Sequence, residues 1–442
     1  MDLQISESFF GGSIVCDCGR THEIVPRRII YHESALARLP GVVGQAMSSR
    51  HLVVLMDRRT AMVAGEAVLE CLSTAGFAPH RLMVSDRPCG SGPICDDITL
   101  AVLKNSLAKQ SPQLVLSVGS GVINDLGKWL ACELKLPFIT FATAASMNGY
   151  TSANIAPTVA GIKTLLHGNA PLAVLSAPAV LCEAPYALTS AGLGDVLAKS
   201  VSSADWRMNH LLFGDYYCAR SVDLIAKLEP LYLEHPLDIA ARKPYAMAAL
   251  YEALLLTGGA MTMAGSSAPA SGGEHMISHT LDMMSALDGQ AHDFHGRQVG
   301  VGTVIASEVY RRVLAVESPR FAAPSANVDR TFWGPLADVV AKEYSAKLPR
   351  LAQMSAKLSQ PDQWDALRAE LAPMLRGPDL LRECLATASA AWRASDLGIE
   401  QTRLALALKH AHEIRSRVTV LDLAVLLGIL PGSAGELVRM YA

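Results

Sequence analysis

Short apolar segments alternate with longer amphipathic segments between residues 51 and 143, and this pattern limits the fold more than any other feature. The segments "HLVVLMD", "QLVLSVGSG" and "PFITFAT" are almost continuously apolar and of strand length. Strands that are apolar on both faces are typical of a parallel sheet with helices on each side. The pattern predicts an α/β domain with strands at 51–57, 81–86, 113–121, 137–143 and within 170–181, and with helices at 61–77, 96–110 and 123–135.

The pattern changes after about residue 185. From there to the C-terminus, Ala, Leu and Met recur at spacings of three and four residues, which is typical of helices. A chain of 442 residues also exceeds one ordinary hydrophobic core, so two domains are expected. We therefore predict an α/β N-terminal domain over residues 1–184 and an all-α C-terminal domain over residues 185–442.

Composition argues against several classes of protein. Half of the residues are hydrophobic, 18% are charged and the net charge is −3, which argues against disorder and against attraction to nucleic acid or an anionic membrane. The uncharged stretch 253–273 is too rich in Gly, Ser and Pro for a membrane helix, so we interpret it as a buried helix running into a loop. The first residues lack a secretory pattern, and the nine cysteines lack regular spacing. We expect a cytoplasmic protein with reduced thiols and with no nucleic acid or membrane as partner.

The segment "SVGSGVINDLGK" at 117–128 follows a predicted strand and begins a predicted helix. Gly119 and Gly121 let the backbone approach a phosphate closely, and the N-terminus of the helix offers free N–H groups. The segment is consistent with a Rossmann-like dinucleotide site and also with an ordinary tight turn. Asp57 ends another predicted strand, where its carboxylate could accept hydrogen bonds from a ribose or cap the next helix.

The segment "SGGEHMISHTLDMM" places two histidines in an otherwise apolar, helix-like run. Positions four apart on a helix lie one above the other, so His275 and His279 share a face. His295 follows a loop that contains Gly289, and Asp195 lies among small residues in "SAGLGDVLAK". Asp/His/His with an open position is typical of a catalytic metal site, whereas the alternative is satisfied histidines and a helix-capping aspartate. The order Glu-His-x-x-x-His excludes the HExxH pattern of metalloproteases.

The segment "CDCGRTH" brings Cys16, Cys18 and His22 close together in sequence. A site for a soft metal is conceivable, but three ligands do not complete a tetrahedral set. We therefore interpret the cysteines as structural thiols in a turn.

With these motifs in view, the chain resembles the sn-glycerol-1-phosphate dehydrogenases. That family belongs to the superfamily of iron-containing alcohol dehydrogenases, glycerol dehydrogenases and dehydroquinate synthases. The resemblance covers roughly residues 14–300. It rests on "CDCGRTH", "IVPRRIIYHESALARLP", "GSGVINDLGK", "TAASMNGYTS", "SAGLGDVLAK", "SGGEHMISH" and "HGRQVGVGT", in that order.

The resemblance implies a dehydroquinate synthase-like fold and a metal-dependent, NAD(P)-linked oxidoreductase. Such an enzyme would interconvert a phosphorylated polyol and its ketone, as in glycerol-1-phosphate and dihydroxyacetone phosphate. A homodimer or higher homo-oligomer is also implied. The metal would polarise the ketone oxygen while the nicotinamide delivers hydride, and a nearby imidazole would move a proton.

The resemblance also assigns roles to individual residues. The helical domain would bind one divalent metal (zinc, iron or nickel) and a small phosphorylated substrate, and the α/β domain would bind NAD or NADP. The implied metal ligands are Asp195, His275 and His295, and His279 and Asn148 would lie at the substrate. The implied dinucleotide contacts are Asp57 at the ribose, Gly119, Ser120, Gly121, Val122 and Ile123 at the pyrophosphate, and Thr143, Ser146 and Ser152 beside the nicotinamide.

Two positions depart from the family pattern. Asn148 replaces an aspartate at the substrate, and Arg297 replaces a glutamate after the His-Gly pair. Together they replace two negative charges with one neutral and one positive group. We therefore expect a substrate that differs from dihydroxyacetone phosphate, either in negative charge or in its arrangement of hydroxyls.

Two alternatives stay open at this stage. One is an NAD- and metal-dependent cyclase or lyase of the dehydroquinate synthase type, although those enzymes resemble this chain less at Asp195, where they typically have glutamate. The other is a non-catalytic scaffold that binds NAD and metal. The choice between NAD and NADP is also open, because Asp57 would repel a 2′-phosphate while Arg58 and Arg59 could offset that repulsion.

Overall fold

The predicted parallel sheet is present in the structure, a computed structural model in which residues 9–87, 90 and 92–441 are described. The strands are β1 (Ser13–Val15), β2 (Thr21–Glu23), β3 (Arg28–Tyr31), β4 (His51–Asp57), β5 (Ala78–Val84), β6 (Val115–Gly119), β7 (Phe138–Ala142), β8 (Asn154–Ile155), β9 (Thr158–Val159), β10 (Ile162–Lys163), β11 (Leu166–His167) and β12 (Ala173–Ser176). Six of these described strands form one sheet in the order β3-β12-β7-β6-β4-β5, and each neighbouring pair is parallel.

The helices of the first part lie on both faces of this sheet. They are α1 (Ala35–Ala46), α2 (Arg58–Thr60), α3 (Glu66–Thr74), α4 (Asp97–Ser106), α5 (Gly121–Leu134) and α6 (Pro178–Glu183), with a π-helical segment at Ala61–Gly65 and a 3₁₀ turn at Asn148–Thr151.

Strand β4 explains why helices cover both faces. Leu52 and Val54 point into an apolar cluster with residues of α1 and α3. Val53 and Leu55 point into a second cluster with residues of α4 and α5. Because successive side chains of a strand alternate between faces, a continuously apolar strand needs apolar partners on both sides.

All five predicted strands are present, and 51–57 is predicted to the residue. Strand β5 begins three residues earlier than predicted and ends at Val84, before the polar Ser85 and Asp86. Strand β3, at the edge of the sheet, was not predicted. It has four residues, lies close to Pro26 and begins with an arginine, so it gives little apolar signal.

Helices make up the rest of the described chain, as predicted after residue 185. They are α7 (Tyr186–Leu197), α8 (Lys199–Phe213), α9 (Ala219–Ala226), α10 (Glu229–Leu233), α11 (Pro236–Ala240), α12 (Pro244–Ala264), α13 (Gly273–Asp288), α14 (His295–Leu314), α15 (Arg330–Trp333), α16 (Ala337–Leu358), α17 (Gln363–Leu371), α18 (Pro378–Thr387), α19 (Gln401–His410), α20 (Val420–Leu426) and α21 (Ala434–Met440). Further 3₁₀ turns lie at Ala268–Ala270, Gly334–Leu336, Ala372–Met374, Ala394–Leu397 and Ala411–Glu413.

The described residues divide into two compact units. The first contains the residues up to Gly192 together with Asp223–Ser266, and the second contains Leu193–Val222 together with the residues from Ser267 onward. The first unit therefore includes both the sheet and helix α12. The boundary at 184/185 drawn from the sequence stays a prediction.

Helix α12 is long and apolar enough to cross a membrane by length and composition alone, but 89% of its apolar window is buried within the fold. It ends at Ala264, where Gly265 has a φ of 66° and turns the chain. The stretch 253–273 is thus a buried helix running into a loop, as predicted.

Candidate functional site

The first part of the candidate site is the turn between β6 and α5. A Cβ on Gly119 would lie 2.6 Å from Ile123 Cβ, so glycine is needed there for the helix to return so closely to the strand. A Cβ on Gly121, by contrast, would have no heavy atom of the described residues within 4 Å. The backbone at Ser120 and Gly121 therefore borders open space at the N-terminus of a 14-residue helix. Backbone N–H groups in such a position suit a phosphate.

Strand β7 runs beside β6 and brings the predicted nicotinamide-side residues to the same edge of the sheet. The N–H of Thr143 donates to Gly119 O over 3.3 Å, directly after β7. Ser146 and Ser152 follow on the same segment and are buried. The structure thus brings Thr143 close to the predicted phosphate turn.

Asn148 begins the 3₁₀ turn Asn148–Thr151, which two neighbours hold in place. The buried Lys128 Nζ donates to Gly149 O over 2.8 Å, and Thr151 Oγ1 donates to Leu255 O of α12 over 2.5 Å. Glycine is required at position 258, because a Cβ there would lie 2.2 Å from Thr151 Oγ1. Asn148 is therefore on a rigid turn of the first unit.

Asp57 caps the following helix, which is one of the two roles that the sequence allowed for it. Its Oδ1 accepts hydrogen bonds from the N–H groups of Arg59 and Thr60 over 3.1 and 2.8 Å. Its Oδ2 lies 3.2 Å from Arg59 Nη1, which also lies 2.7 Å from Asp86 Oδ1. Arg58 pairs with the same Asp86 over 2.6 Å. The ribose contact of Asp57 stays a prediction, and both arginines are bound to Asp86.

The second part of the candidate site, in the second unit, brings the predicted metal ligands together. Asp195 Oδ1 lies 3.6 Å from His275 Nε2, and both side chains are almost fully buried. The imidazole centroids of His275 and His295 are 5.1 Å apart. His279 stacks on His295 at 5.5 Å and lies 6.0 Å from His275. Residues separated by up to 100 positions in sequence thus form one cluster.

Glycines allow the three helices that carry this cluster to approach so closely. A Cβ on Gly194, at the end of α7, would lie 2.1 Å from Gly296 O of α14. A Cβ on Gly302 of α14 would lie 2.6 Å from Glu274 O of α13. The motifs "SAGLGD" and "HGRQVGVG" therefore contain glycine because the backbones touch, and this contact places Asp195 beside the histidines.

Hydrogen bonds at Nδ1 orient both predicted histidine ligands. His275 Nδ1 lies 2.7 Å from Glu274 Oε1, and a carboxylate only accepts, so Nδ1 carries a proton and Nε2, which faces Asp195, is the ring atom that would bind a metal. His295 Nδ1 lies 3.1 Å from Ser278 Oγ, and this hydrogen bond holds the ring in place. Metal-binding histidines commonly have such a partner on the second ring nitrogen.

Basic groups around Asp195 keep its carboxylate ionised. Burial alone would raise the pKa of Asp195, but Lys199 Nζ at 3.7 Å and the imidazoles of His275 and His295 outweigh it and hold that pKa below its usual range. Burial opposes protonation of His275, yet Asp195 and Glu274 raise its pKa. Within the described residues, Glu274 Oε2 has no hydrogen-bond partner. One ionised carboxylate and two imidazoles are ligand types that fit a divalent metal of the zinc, iron or nickel kind.

Arg297, the second departure from the family pattern, is engaged by neighbours in the second unit. Its Nε donates to Asp293 Oδ2 over 2.8 Å, and its Nη2 donates to Asp396 O. Much of its positive charge is thereby offset by Asp293.

Sequence reasoning gave no role to Lys128, Glu274 and Lys199. Each is a charged residue that is buried within an apolar or glycine-rich segment, and each lies inside a motif quoted above. Lys and Glu are rarely buried unless paired, so a charged residue in such an apolar segment indicates a specific buried partner.

The chain is similar to the iron-containing alcohol dehydrogenases. The family described as "Iron-containing alcohol dehydrogenase" matches residues 30–185. Among solved structures, a probable glycerol dehydrogenase from Sinorhizobium meliloti has a TM-score of 0.60 at 15% identity and covers 93% of this chain and 97% of its own. At that identity the likeness concerns the fold.

Two curated relatives are more specific. The glycerol-1-phosphate dehydrogenase [NAD(P)+] of Bacillus velezensis is 30% identical over 376 residues, which is 84% of this chain and 84% of the relative. The enzyme of the same name from Geobacillus thermodenitrificans is also 30% identical, over 84% of this chain and 86% of the relative. The chain belongs to the glycerol-1-phosphate dehydrogenase family, a family of NAD(P)-dependent oxidoreductases.

Proposed function

We propose that the chain is a metal-dependent, NAD(P)-linked dehydrogenase that interconverts a phosphorylated polyol and its ketone. The substrate pair is glycerol-1-phosphate and dihydroxyacetone phosphate, or a related phosphoketone. The observation that carries the proposal is the buried cluster in which Asp195 Oδ1 lies 3.6 Å from His275 Nε2 and the ring of His295 lies 5.1 Å from that of His275. The family and the names of the relatives support it.

Asp195, His275 and His295 would hold the metal. Bound there, zinc, iron or nickel supplies a Lewis acid that polarises the substrate oxygen. His279 shares a helix face with His275 and stacks on His295, so its imidazole lies beside the cluster and can hold or move the proton of the substrate hydroxyl.

The turn after β6 would bind the dinucleotide. The N–H groups at the start of α5, from Ser120 to Ile123, donate to the pyrophosphate, and Gly121 leaves the space that the phosphate needs. Thr143, Ser146 and Ser152 follow the neighbouring strand β7 and flank the nicotinamide. Asp57 would contact the ribose through Oδ2, which is outside the helix cap and lies 3.2 Å from Arg59 Nη1.

Asn148 would determine which phosphoketone is accepted. An amide can both donate and accept hydrogen bonds, whereas the aspartate of the family pattern only accepts and repels anions. Arg297 is paired with Asp293, whereas Asn148 lies on the rigid turn Asn148–Thr151, so Asn148 is the departure that we propose to contact the substrate.

The test compares the wild type with Asn148→Asp on dihydroxyacetone phosphate and on larger or more anionic phosphoketones, with the oxidation of NADH and NADPH as the readout. We expect the wild type to prefer one of these other phosphoketones and Asn148→Asp to shift kcat/KM towards dihydroxyacetone phosphate. If Asn148→Asp speeds turnover of dihydroxyacetone phosphate without weakening binding of the preferred substrate, the role of Asn148 in selection is wrong. If the wild type reduces none of these ketones with metal and NADH bound, the proposed substrate class is wrong.

The last part of the proposal concerns the localisation, the oligomeric state and the partners of the enzyme. We infer a cytoplasmic homodimer or higher homo-oligomer whose partner is a small phosphorylated molecule, with neither nucleic acid nor a membrane bound. The net charge of −3 supports the absence of attraction to polyanions. Light scattering on the purified chain tests the oligomer, and a monomeric mass at working concentration would contradict it.

A further inference from the structure

We propose that Cys16, Cys18 and His22 form a second metal site, a structural zinc site in the first unit. The site is separate from the metal cluster of the second unit and has no part in the proposed reaction. The Sγ atoms of the two cysteines and a ring nitrogen of His22 all lie within 4.8 Å of one another. Two thiols and an imidazole so close together are the ligand types that zinc prefers.

A tight hairpin brings the two thiols together. Strands β1 and β2 are antiparallel, and the connection between them is closed by hydrogen bonds from Cys16 N to Arg20 O and from Gly19 N to Cys16 O, each 3.0 Å long. Gly19 has a φ of 82°, which an L side chain adopts only under strain. The turn therefore depends on the Cys-x-Cys-Gly sequence, and both cysteines lie on the same short connection.

His22 follows on β2 with its ring oriented for a metal. Its Nδ1 lies 3.1 Å from Met263 O, and a carbonyl oxygen only accepts, so Nδ1 carries the proton. In the neutral ring, Nε2 then offers its lone pair, and this atom lies 3.3 Å from Cys18 Sγ. The arrangement matches that of metal-bound histidines, whose second nitrogen donates to a carbonyl or carboxylate.

The spacing agrees with tetrahedral coordination. Ligands at ~2.3 Å (sulfur) and ~2.0 Å (nitrogen) on a tetrahedral zinc ion are about 3.6 Å apart. The separation of 3.3 Å between Cys18 Sγ and His22 Nε2 is close to that value. Cys16 and His22 are buried, with 7% and 3% of their surface exposed, and Cys18 is half-buried, so most of the site is shielded from solvent.

Binding releases the thiol protons, because the thiolate is the ligand. Zinc completes its four-coordinate shell with a further thiol or a water molecule. A plain hydrogen bond from the Cys18 thiol to His22 would give the same 3.3 Å without any metal, so the experiment must separate these two cases.

The experiment uses full-length Asp195→Asn protein, in which the cluster of the second unit is disabled, loaded with Co²⁺ as a spectroscopic substitute for zinc. We expect about one Co²⁺ per chain and a sulfur-to-cobalt charge-transfer band in the near ultraviolet, which oxygen and nitrogen ligands do not give. Adding Cys18→Ser should remove both the band and the bound metal. Adding Cys71→Ser instead, which alters a half-buried thiol that donates to Leu36 O in the same unit, should leave both unchanged.

A second measurement needs no cysteine variant and covers the case in which Cys18→Ser does not fold. In the wild type, Zn²⁺ should protect Cys18, the more exposed of the two thiols, from alkylation, and a chelator should restore its reactivity, as read by mass spectrometry of the labelled peptide. Equal alkylation with and without Zn²⁺, or Co²⁺ uptake with no sulfur band, would overturn the proposal. Both readouts are independent of dehydrogenase activity.

Discussion

Glu274 shows at the scale of a single residue how the candidate metal cluster is held. The side chain is fully buried, and its Oε1 accepts hydrogen bonds from Gly272 N over 2.8 Å and from His275 Nδ1 over 2.7 Å. It thus fixes both the start of helix α13 and the ring orientation of a metal ligand. Its charge also makes the imidazole a stronger ligand.

We therefore expect Glu274→Gln to weaken metal binding while the chain still folds. The amide can still accept the His275 proton, but it lacks the negative charge. Loss of such a partner typically costs about 10–100-fold in metal affinity. Calorimetric titration of the chelator-treated protein with Zn²⁺ measures the change.

Glu308→Gln provides the control for that prediction. Glu308 is also a buried glutamate of the second unit, and it pairs with Arg311, Arg312 and Tyr441 instead of with the cluster. This variant should lose stability and keep its affinity for Zn²⁺. An equal loss of affinity in both variants would contradict a positioning role for Glu274.

The sequence identifies the ligand-type residues better than the residues that position them. Asp195, His275, His279 and His295 stand out because acids and imidazoles are unusual in apolar helices. The role of Glu274 depends on a side-chain rotamer and on the backbone of Gly272, neither of which a spacing encodes. For Asp57, the sequence identifies the residue but not its role, because a carboxylate at the end of a strand can cap the next helix or bind a ribose.

At the scale of elements, the strand–turn–helix unit from β6 to α5 contains two glycines with different functions. Gly119 is required by packing, because a Cβ there would lie 2.6 Å from Ile123 Cβ. Gly121 has open space around it within the described residues, so packing does not require glycine there, and we propose that the space serves the dinucleotide.

Alanine at these two positions should therefore have opposite effects. Gly119→Ala should destabilise the fold by about 1–3 kcal/mol through overpacking. Gly121→Ala should leave the melting temperature unchanged or slightly higher, because alanine restricts the unfolded chain. Its methyl group should obstruct a hydrogen bond to phosphate worth about 1.5–3 kcal/mol, so the Kd for NADH should rise roughly tenfold or more.

Thermal melts and fluorescence titration with NADH on the same two proteins check this prediction. Each variant is the control for the other, because both replace a glycine of the same turn with alanine. Normal NADH affinity in Gly121→Ala would place the dinucleotide elsewhere.

Elements with a long apolar pattern could be predicted from the sequence, and short ones could not. Strand β4 has seven residues and was predicted to the residue, whereas β3 has four, and strands β8 to β11 have two each. Two-residue strands are defined by their partners, such as Leu166 opposite Ile155, and have no periodicity of their own.

At the scale of the whole molecule, we expect the free energy of unfolding to decrease at acidic pH because His412 becomes protonated on unfolding. This imidazole is buried, its Nδ1 donates to Lys409 O over 3.1 Å, and its ring packs edge-on against Tyr344. Burial lowers the pKa of His412, and the positive charges of Lys347 and His410 lower it further. The carboxylates of Asp422 and Glu413 act in the opposite direction and offset only part of this decrease.

The sign of this effect follows from proton linkage. His412 stays neutral in the folded chain, whereas in the unfolded chain it binds a proton below about pH 6.5. Its stabilising contribution is thus present above that pH and is lost as the pH falls towards the lower folded-state pKa, by up to about 1.4 kcal/mol per pH unit.

Denaturant unfolding between about pH 5 and about pH 8 measures this loss. In His412→Asn, whose amide N–H can replace the bond to Lys409 O, the free energy of unfolding should fall less steeply with acid. His51→Asn, at an exposed position on β4, is the control and should keep the wild-type slope. Equal slopes in all three proteins would contradict the assignment.

The sequence alone does not show which segments of the chain form each of the two units. Helix α12 is apolar on all sides and 89% of its apolar window is buried, so no amphipathic stripe indicates which neighbours it has. The structure groups it with the sheet, through contacts such as Thr151 Oγ1 to Leu255 O. Which segments group with which is decided by such tertiary contacts and not by a local pattern.

The most direct test of the proposed function is the stoichiometry of NADH oxidation by protein reconstituted with zinc, nickel or ferrous iron. With dihydroxyacetone phosphate or a related phosphoketone, we predict one NADH consumed for each ketone reduced. In His275→Ala this turnover should be abolished, while NADH still binds at the β6–α5 turn. Conversion of the ketone without net consumption of NADH, or full activity in His275→Ala, would contradict the account.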